Sequence, residues 1–208
     1  NDVEPEQGKY DFAALDWMLD EAAARDVRVV LAAGRRLPRW PECHNPAWIV
    51  DRRPEIADRH EAVLRLLREE VKHYKDEEAI WMWQVENEPL LNVFGECPAA
   101  DLKFLKKEIA LVRSLDSRPI LVTDSGELSL WLRAGRVGDY LGTTMYRKVW
   151  NRFLGYWHYD WLIPPAWYRW REFANRIPSG HLLVSELQAE AWLPNGNALI
   201  TPLADQLV

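Results

Sequence analysis

Apolar positions recur along the chain in two alternating rhythms. One has helical spacing. Phe12, Leu15, Met18, Leu19 and Ala22 share a face behind a capping Asp11. His60, Val63, Leu64, Leu67, Val71 and Tyr74 form a second face from about Pro54, and Leu102, Leu105, Ile109 and Val112 a third. The other rhythm is short, nearly continuous and β-branched, at residues 27–32, 80–85, 119–123, 140–145 and 181–184. Residues 128–136 and 166–177 read as further helices, and Thr201-Pro202 has the cap and first-turn pattern of a last one. Two long loops, 37–51 and 146–165, carry prolines and aromatics.

Strands without clear alternation, separated by helices, predict a parallel sheet covered by helices. Loops after strands are long and aromatic, whereas those after helices are short, as at Ser117-Arg118 and Ser179-Gly180. That asymmetry belongs to a barrel whose working face lies at the strand C-termini. With 208 residues, 1–208 suits one domain near the lower limit for a closed (β/α)8 barrel. Hydrophobic residues at 48% and charged residues at 28% predict a packed core rather than disorder.

A net charge of -6 does not attract phosphate backbones, so no nucleic-acid partner is expected. No apolar run approaches the roughly 20 residues that cross a bilayer. The His residues are scattered, without metal-site spacing, and no glycine-rich phosphate loop is present. No metal or cofactor is therefore expected. Cys43 and Cys97 are too few for a disulfide framework and leave the compartment open. They follow two strands whose loops are candidate neighbours. Free thiols are the first reading, a disulfide the second, a zinc site with His44 the third.

Chemistry enters with two carboxylates. Glu88 follows the strand at 80–85, and Glu186 the strand at 181–184. Glu is depleted in strands, so a Glu at two strand C-termini needs a reason, and in a barrel those ends converge. Glycosidic cleavage needs two carboxyl groups. A separation of about 5–5.5 Å lets one attack the anomeric carbon, and a wider gap admits water. Twelve tryptophans add flat apolar surfaces, either for sugar C–H faces or for a large core. Trp40 and Trp192 are the candidate platforms, with Trp131 and Trp150 also near loops after strands. Arg39 and Gln188 are candidates to bond hydroxyls, with plain surface roles as the alternative.

Asn87-Glu88-Pro89 after its strand, and Glu186 within Val184-Ser185-Glu186-Leu187-Gln188, resemble the acid/base and nucleophile motifs of clan A glycoside hydrolases. Residues 3–12 are similar to the segment after that clan's second barrel strand. Leu37-Pro38-Arg39-Trp40-Pro41 resembles the loop after the third, and Thr144-Met145-Tyr146 the end of the sixth. The resemblance implies a retaining hydrolase of β-linked oligo- or polysaccharides, acting without a cofactor. Glu88 would be the proton donor, Asn87 the partner of the sugar 2-OH, Glu186 the nucleophile and Tyr146 its neighbour. Glu86 is a rival acid/base and Glu190 a rival nucleophile. On a regular strand Glu86 and Glu88 point one way and Asn87 the other, so the strand end must bulge or turn.

Only the third to seventh barrel strands have counterparts, and the first, second and eighth are missing. The expectation is a partial (β/α)8 barrel of TIM type: an open five-stranded sheet, belonging to a longer chain or covered by another copy through its open edges. Two other functions fit parts of the pattern. One is a carbohydrate-binding barrel that has lost turnover. The other is a metal-dependent barrel hydrolase, disfavoured by the scattered His.

Overall fold

A computed structural model describes residues 2–39, 41–52, 55–93, 95–151, 155–159, 162–187, 191–192 and 198–199. Five strands form one all-parallel sheet: β1 (Val29–Ala33), β2 (Ile80–Val85), β3 (Ile120–Asp124), β4 (Tyr140–Met145) and, further on, β7 (Leu182–Leu187). Their spatial order is β1-β2-β3-β4-β7, so chain order and sheet order coincide, as around a barrel wall. This is half of a TIM-type barrel. β1 and β7 are its edges, and on β7 Val184 and Leu187 stand 47% and 68% exposed.

Helices α1 (Ala13–Ala23), α3 (Ile56–Tyr74), α4 (Leu102–Leu115) and α5 (Pro165–Ala174) connect or precede the strands. The main core joins Val63, Leu67, Val71 and Tyr74 of α3 and Leu105, Ile109 and Val112 of α4 to Trp83, Val85, Ile120 and Val122 of the sheet. These are the positions whose helical and strand periodicities mark them as apolar faces. α4 starts where Asp101 Oδ1 accepts from the backbone N–H groups of Lys103 and Phe104.

Several expectations need correction. In α1 the buried stripe is narrower than predicted. Leu19 is buried and Phe12 and Leu15 pack against the core, but Met18 faces solvent. Phe12 itself sits at the N-cap and stacks on His73 at 4.4 Å, while Asp11 Oδ1 accepts from the Ala13 N–H. The loop 37–51 closes into a short helix, α2 (Ala47–Arg52). The loop 146–165 contains an antiparallel hairpin of β5 (Lys148–Asn151) and β6 (Gly155–His158), and β8 (Ala191–Trp192) pairs antiparallel with β9 (Ala198–Leu199). Residues 128–136 form only a 3-10 turn at Ala134–Arg136. Ser125 Oγ takes the Glu127 and Leu128 N–H groups and Ser129 Oγ that of Trp131, so side chains replace the helical ladder there. Cys43 and Cys97 form a disulfide and are not free thiols: the loops after β1 and β2 do lie side by side. Thr201 and Pro202 lie outside the described residues.

Candidate active site

Two irregularities at strand ends build the site. β2 ends at Val85, and Glu86 and Glu88 then take left-handed backbone angles, φ 61° and 42°. Non-glycine residues rarely do so, and they hold such angles only where the surroundings over-determine them. Here the chain is tied on both sides. The Glu86 N–H reaches Ala33 O at 2.9 Å, the Asn87 N–H reaches Arg36 O at 2.6 Å, and the Glu88 N–H reaches Thr123 Oγ1 at 2.7 Å. This is the turn that simple strand alternation requires if Asn87 and Glu88 are to serve one pocket.

The second irregularity lies on β7. Its ladder passes from Thr143–Val184 to Thr144–Glu186, leaving Ser185 without a counterpart on β4. Such a one-residue bulge re-aims the chain at a barrel rim. It brings Glu186 level with the end of β4, where the Tyr146 hydroxyl donates to Glu186 Oε2 at 2.5 Å.

Glu88 is buried, and its carboxyl is pushed up to about 8. Burial is the main cause and the charge of Glu186 the next, with Asp124 and Glu42 adding to it and Arg36 opposing. The charge of Glu186 thus acts on the Glu88 carboxyl. The Tyr146 phenol is raised above its usual range by burial and by its bond to Glu186, so it stays a hydrogen-bond donor.

The Asn87 side chain is fixed at both ends. Its Oδ1 accepts from Gln84 Nε2 at 3.0 Å and from Thr123 Oγ1 at 3.2 Å, and its Nδ2 donates to Glu42 Oε2 at 3.1 Å. Glu86, the rival acid, is engaged elsewhere. Its two oxygens accept the Arg35 and Arg36 N–H groups at 2.8 and 2.7 Å, which ties the ends of β1 and β2 together.

Arg39 is exposed, in a left-handed conformation at φ 90°, and its carbonyl accepts from the Glu42 N–H. Among the described residues, no hydrogen bond or ion pair joins its guanidinium to Glu88 or Glu186. Trp131 is fully buried, with Arg171 4.0 Å above its ring, so it is a core residue and no platform. Trp40, Gln188 and Glu190 lie outside the described residues, as do the side chains of Trp150 and Trp192.

Five neighbours of the candidate site escaped the sequence reading. Thr123 and Asp124 end β3, Glu42 and Arg36 lie in the loop after β1, and Glu127 follows β3. Glu127 accepts from Thr144 Oγ1, from the Tyr146 N–H at 2.7 Å and from the Tyr168 hydroxyl at 2.8 Å, so it seats the residue that touches Glu186. The signal that marked Glu88, an acid at a strand's C-terminal end, was present at Asp124 as well. Among the described residues no group of three or more His, Cys, Asp or Glu is arranged to hold a metal ion.

A parallel half-barrel with acids at its strand C-termini is similar in architecture to known glycoside hydrolases, and comparison with known proteins points to the same relatives. The family model for beta-galactosidases of glycoside hydrolase family 42 matches residues 1–65. A beta-galactosidase of Arthrobacter sp is 31% identical over an alignment covering 55% of this chain and 19% of that protein. An endo-beta-1,4-xylanase from Gloeophyllum trabeum superposes with a TM-score of 0.61 at 18% identity, over 92% of this chain and 60% of that one. The cold-adapted beta-galactosidase of Rahnella sp. R3 gives 0.56 at 15% identity, over 69% and 33%. The structural likenesses carry the fold alone. The chain spans about a fifth of the length of the Arthrobacter relative it matches.

Proposed function

We propose that residues 1–208 act as one catalytic unit of a retaining β-glycosidase. One observation carries the reading. Two carboxyl groups stand at the ends of β2 and β7, and burial together with the Glu186 charge drives Glu88 to keep its proton. Retaining hydrolysis needs such a proton donor beside a second carboxyl group.

Glu88 protonates the glycosidic oxygen as the bond to the leaving group breaks. Glu186 attacks the anomeric carbon from the opposite face and forms a glycosyl-enzyme ester. The Tyr146 hydroxyl, bonded to Glu186 Oε2, holds the attacking carboxylate in line. Glu88, now ionised, takes a proton from water, which displaces Glu186 with a second inversion. Asn87 bonds the sugar 2-OH. The beta-galactosidase relatives make a terminal β-galactoside the first substrate to try.

The test is turnover of a panel of aryl β-glycosides by the full chain, with product stereochemistry read by NMR. Retention is expected. Glu88→Gln and Glu186→Gln should each lower turnover by about a hundredfold or more. Azide should rescue Glu186→Ala as an α-glycosyl azide. Wild-type rates in both Gln variants would end this reading. Calorimetric binding without turnover would leave a carbohydrate-binding barrel instead.

A further inference from the structure

Glu42 is a buried carboxylate whose backbone is as constrained as that of Glu88. It stands in a left-handed conformation, φ 71°, and is 4% exposed. Its N–H bonds Arg39 O at 2.7 Å, and its carbonyl takes the Leu37 N–H at 2.9 Å. The next residue, Cys43, is bonded covalently to Cys97. Gly95, on the Cys97 loop, comes so near that a Cβ there would lie 2.7 Å from the Glu42 Cβ. A buried carboxylate on so constrained a loop costs stability and needs a purpose.

Its carboxylate accepts from the Asn87 amide. That amide has a single sensible orientation. Turned over, it would set Oδ1 against the Glu42 carboxylate and its NH2 group against the NH2 of Gln84. As placed, two donors face Oδ1, Glu42 takes one Nδ2 hydrogen, and the second Nδ2 hydrogen is left to donate. Arg36 Nε, 3.7 Å from Glu42 Oε2, offsets the charge.

We propose that Glu42 is a positioning residue: it orients the Asn87 amide so that its remaining N–H meets the substrate 2-OH, and the Cys43–Cys97 disulfide keeps it there. The proposal rests on the glycosidase reading of Glu88 and Glu186.

It is tested in the full chain with an aryl β-glycoside and its 2-deoxy counterpart. Glu42→Ala should lower kcat on the 2-hydroxy substrate by about tenfold, with little change in KM, because the 2-OH bond strengthens in the transition state. On the 2-deoxy substrate the variant should match the wild type. Glu42→Asp retains the charge but withdraws it by one methylene, and should lose the same preference. Glu42→Gln retains an acceptor in place and should recover most of it. Equal losses on both substrates, or a wild-type preference in the Ala and Asp variants, would overturn the proposal. If Glu42→Ala does not fold, the Asp and Gln variants decide. A wild-type chain without turnover is a different result: it removes the glycosidase reading, and this inference with it.

Discussion

Glu86 and Glu88 stand two residues apart and serve opposite purposes. Glu86 spends both oxygens on backbone N–H groups of the neighbouring strand end. Glu88 donates its backbone N–H to Thr123 Oγ1, while its buried carboxyl feels the charge of Glu186. Because burial and the Glu186 charge push Glu88 up to about 8, its proton is present below that pH and lost above it. For a substrate with a poor leaving group, kcat/KM should therefore fall by about tenfold per pH unit above 8. A dinitrophenyl glycoside, whose leaving group needs no proton, should show no such limb. Titration of the poor substrate near the ordinary carboxylate range would contradict this assignment.

At the scale of elements, the strands and long helices were legible and the rim was not. The bounds of β2 and β4 agree with the apolar runs residue for residue, because continuous burial leaves little room for another register. The segment after β3 was misread because its leucines mimic a helical face while Ser125 and Ser129 capture the backbone N–H groups. That segment is held by close approach. The Gly126 N–H bonds Thr144 Oγ1 at 2.9 Å, and a Cβ on Gly126 would lie 2.0 Å from the Thr144 carbonyl. Gly126→Ala should therefore cost about 1–3 kcal/mol in urea unfolding, and should lower turnover by shifting Glu127 away from Tyr146. An unchanged midpoint and rate would show that the loop gives way freely.

At the scale of the whole molecule, a group of acids is buried behind the β1–β2 wall, apart from the proposed catalytic pair Glu88 and Glu186. Burial, and then the charge of Glu86, pushes Glu70 up to about 8 and Glu108 well above the usual carboxylate range. A carboxyl whose folded value is raised contributes stability that is complete below its unfolded value of 4.5. That contribution is lost as pH rises through about 8. Glu70→Gln cannot ionise, so between about pH 5 and 8 its Tm should fall less than that of the wild type. Parallel melting curves across that range would show Glu70 to be solvated.

Taken alone, the sequence determined the alternation of strands and helices, the parallel sheet, and the two acids that end β2 and β7. These follow from local periodicity and from residue types unsuited to strand interiors. It named Glu88 over Glu86 but could not show where Glu86 is engaged, pair Cys43 with Cys97, or reveal Glu42, Thr123 and Glu127. Those depend on two left-handed residues, one bulge and three loops from distant parts of the chain meeting at the sheet rim. Only tertiary contact forces such backbone angles, and only burial turns an ordinary glutamate into an acid.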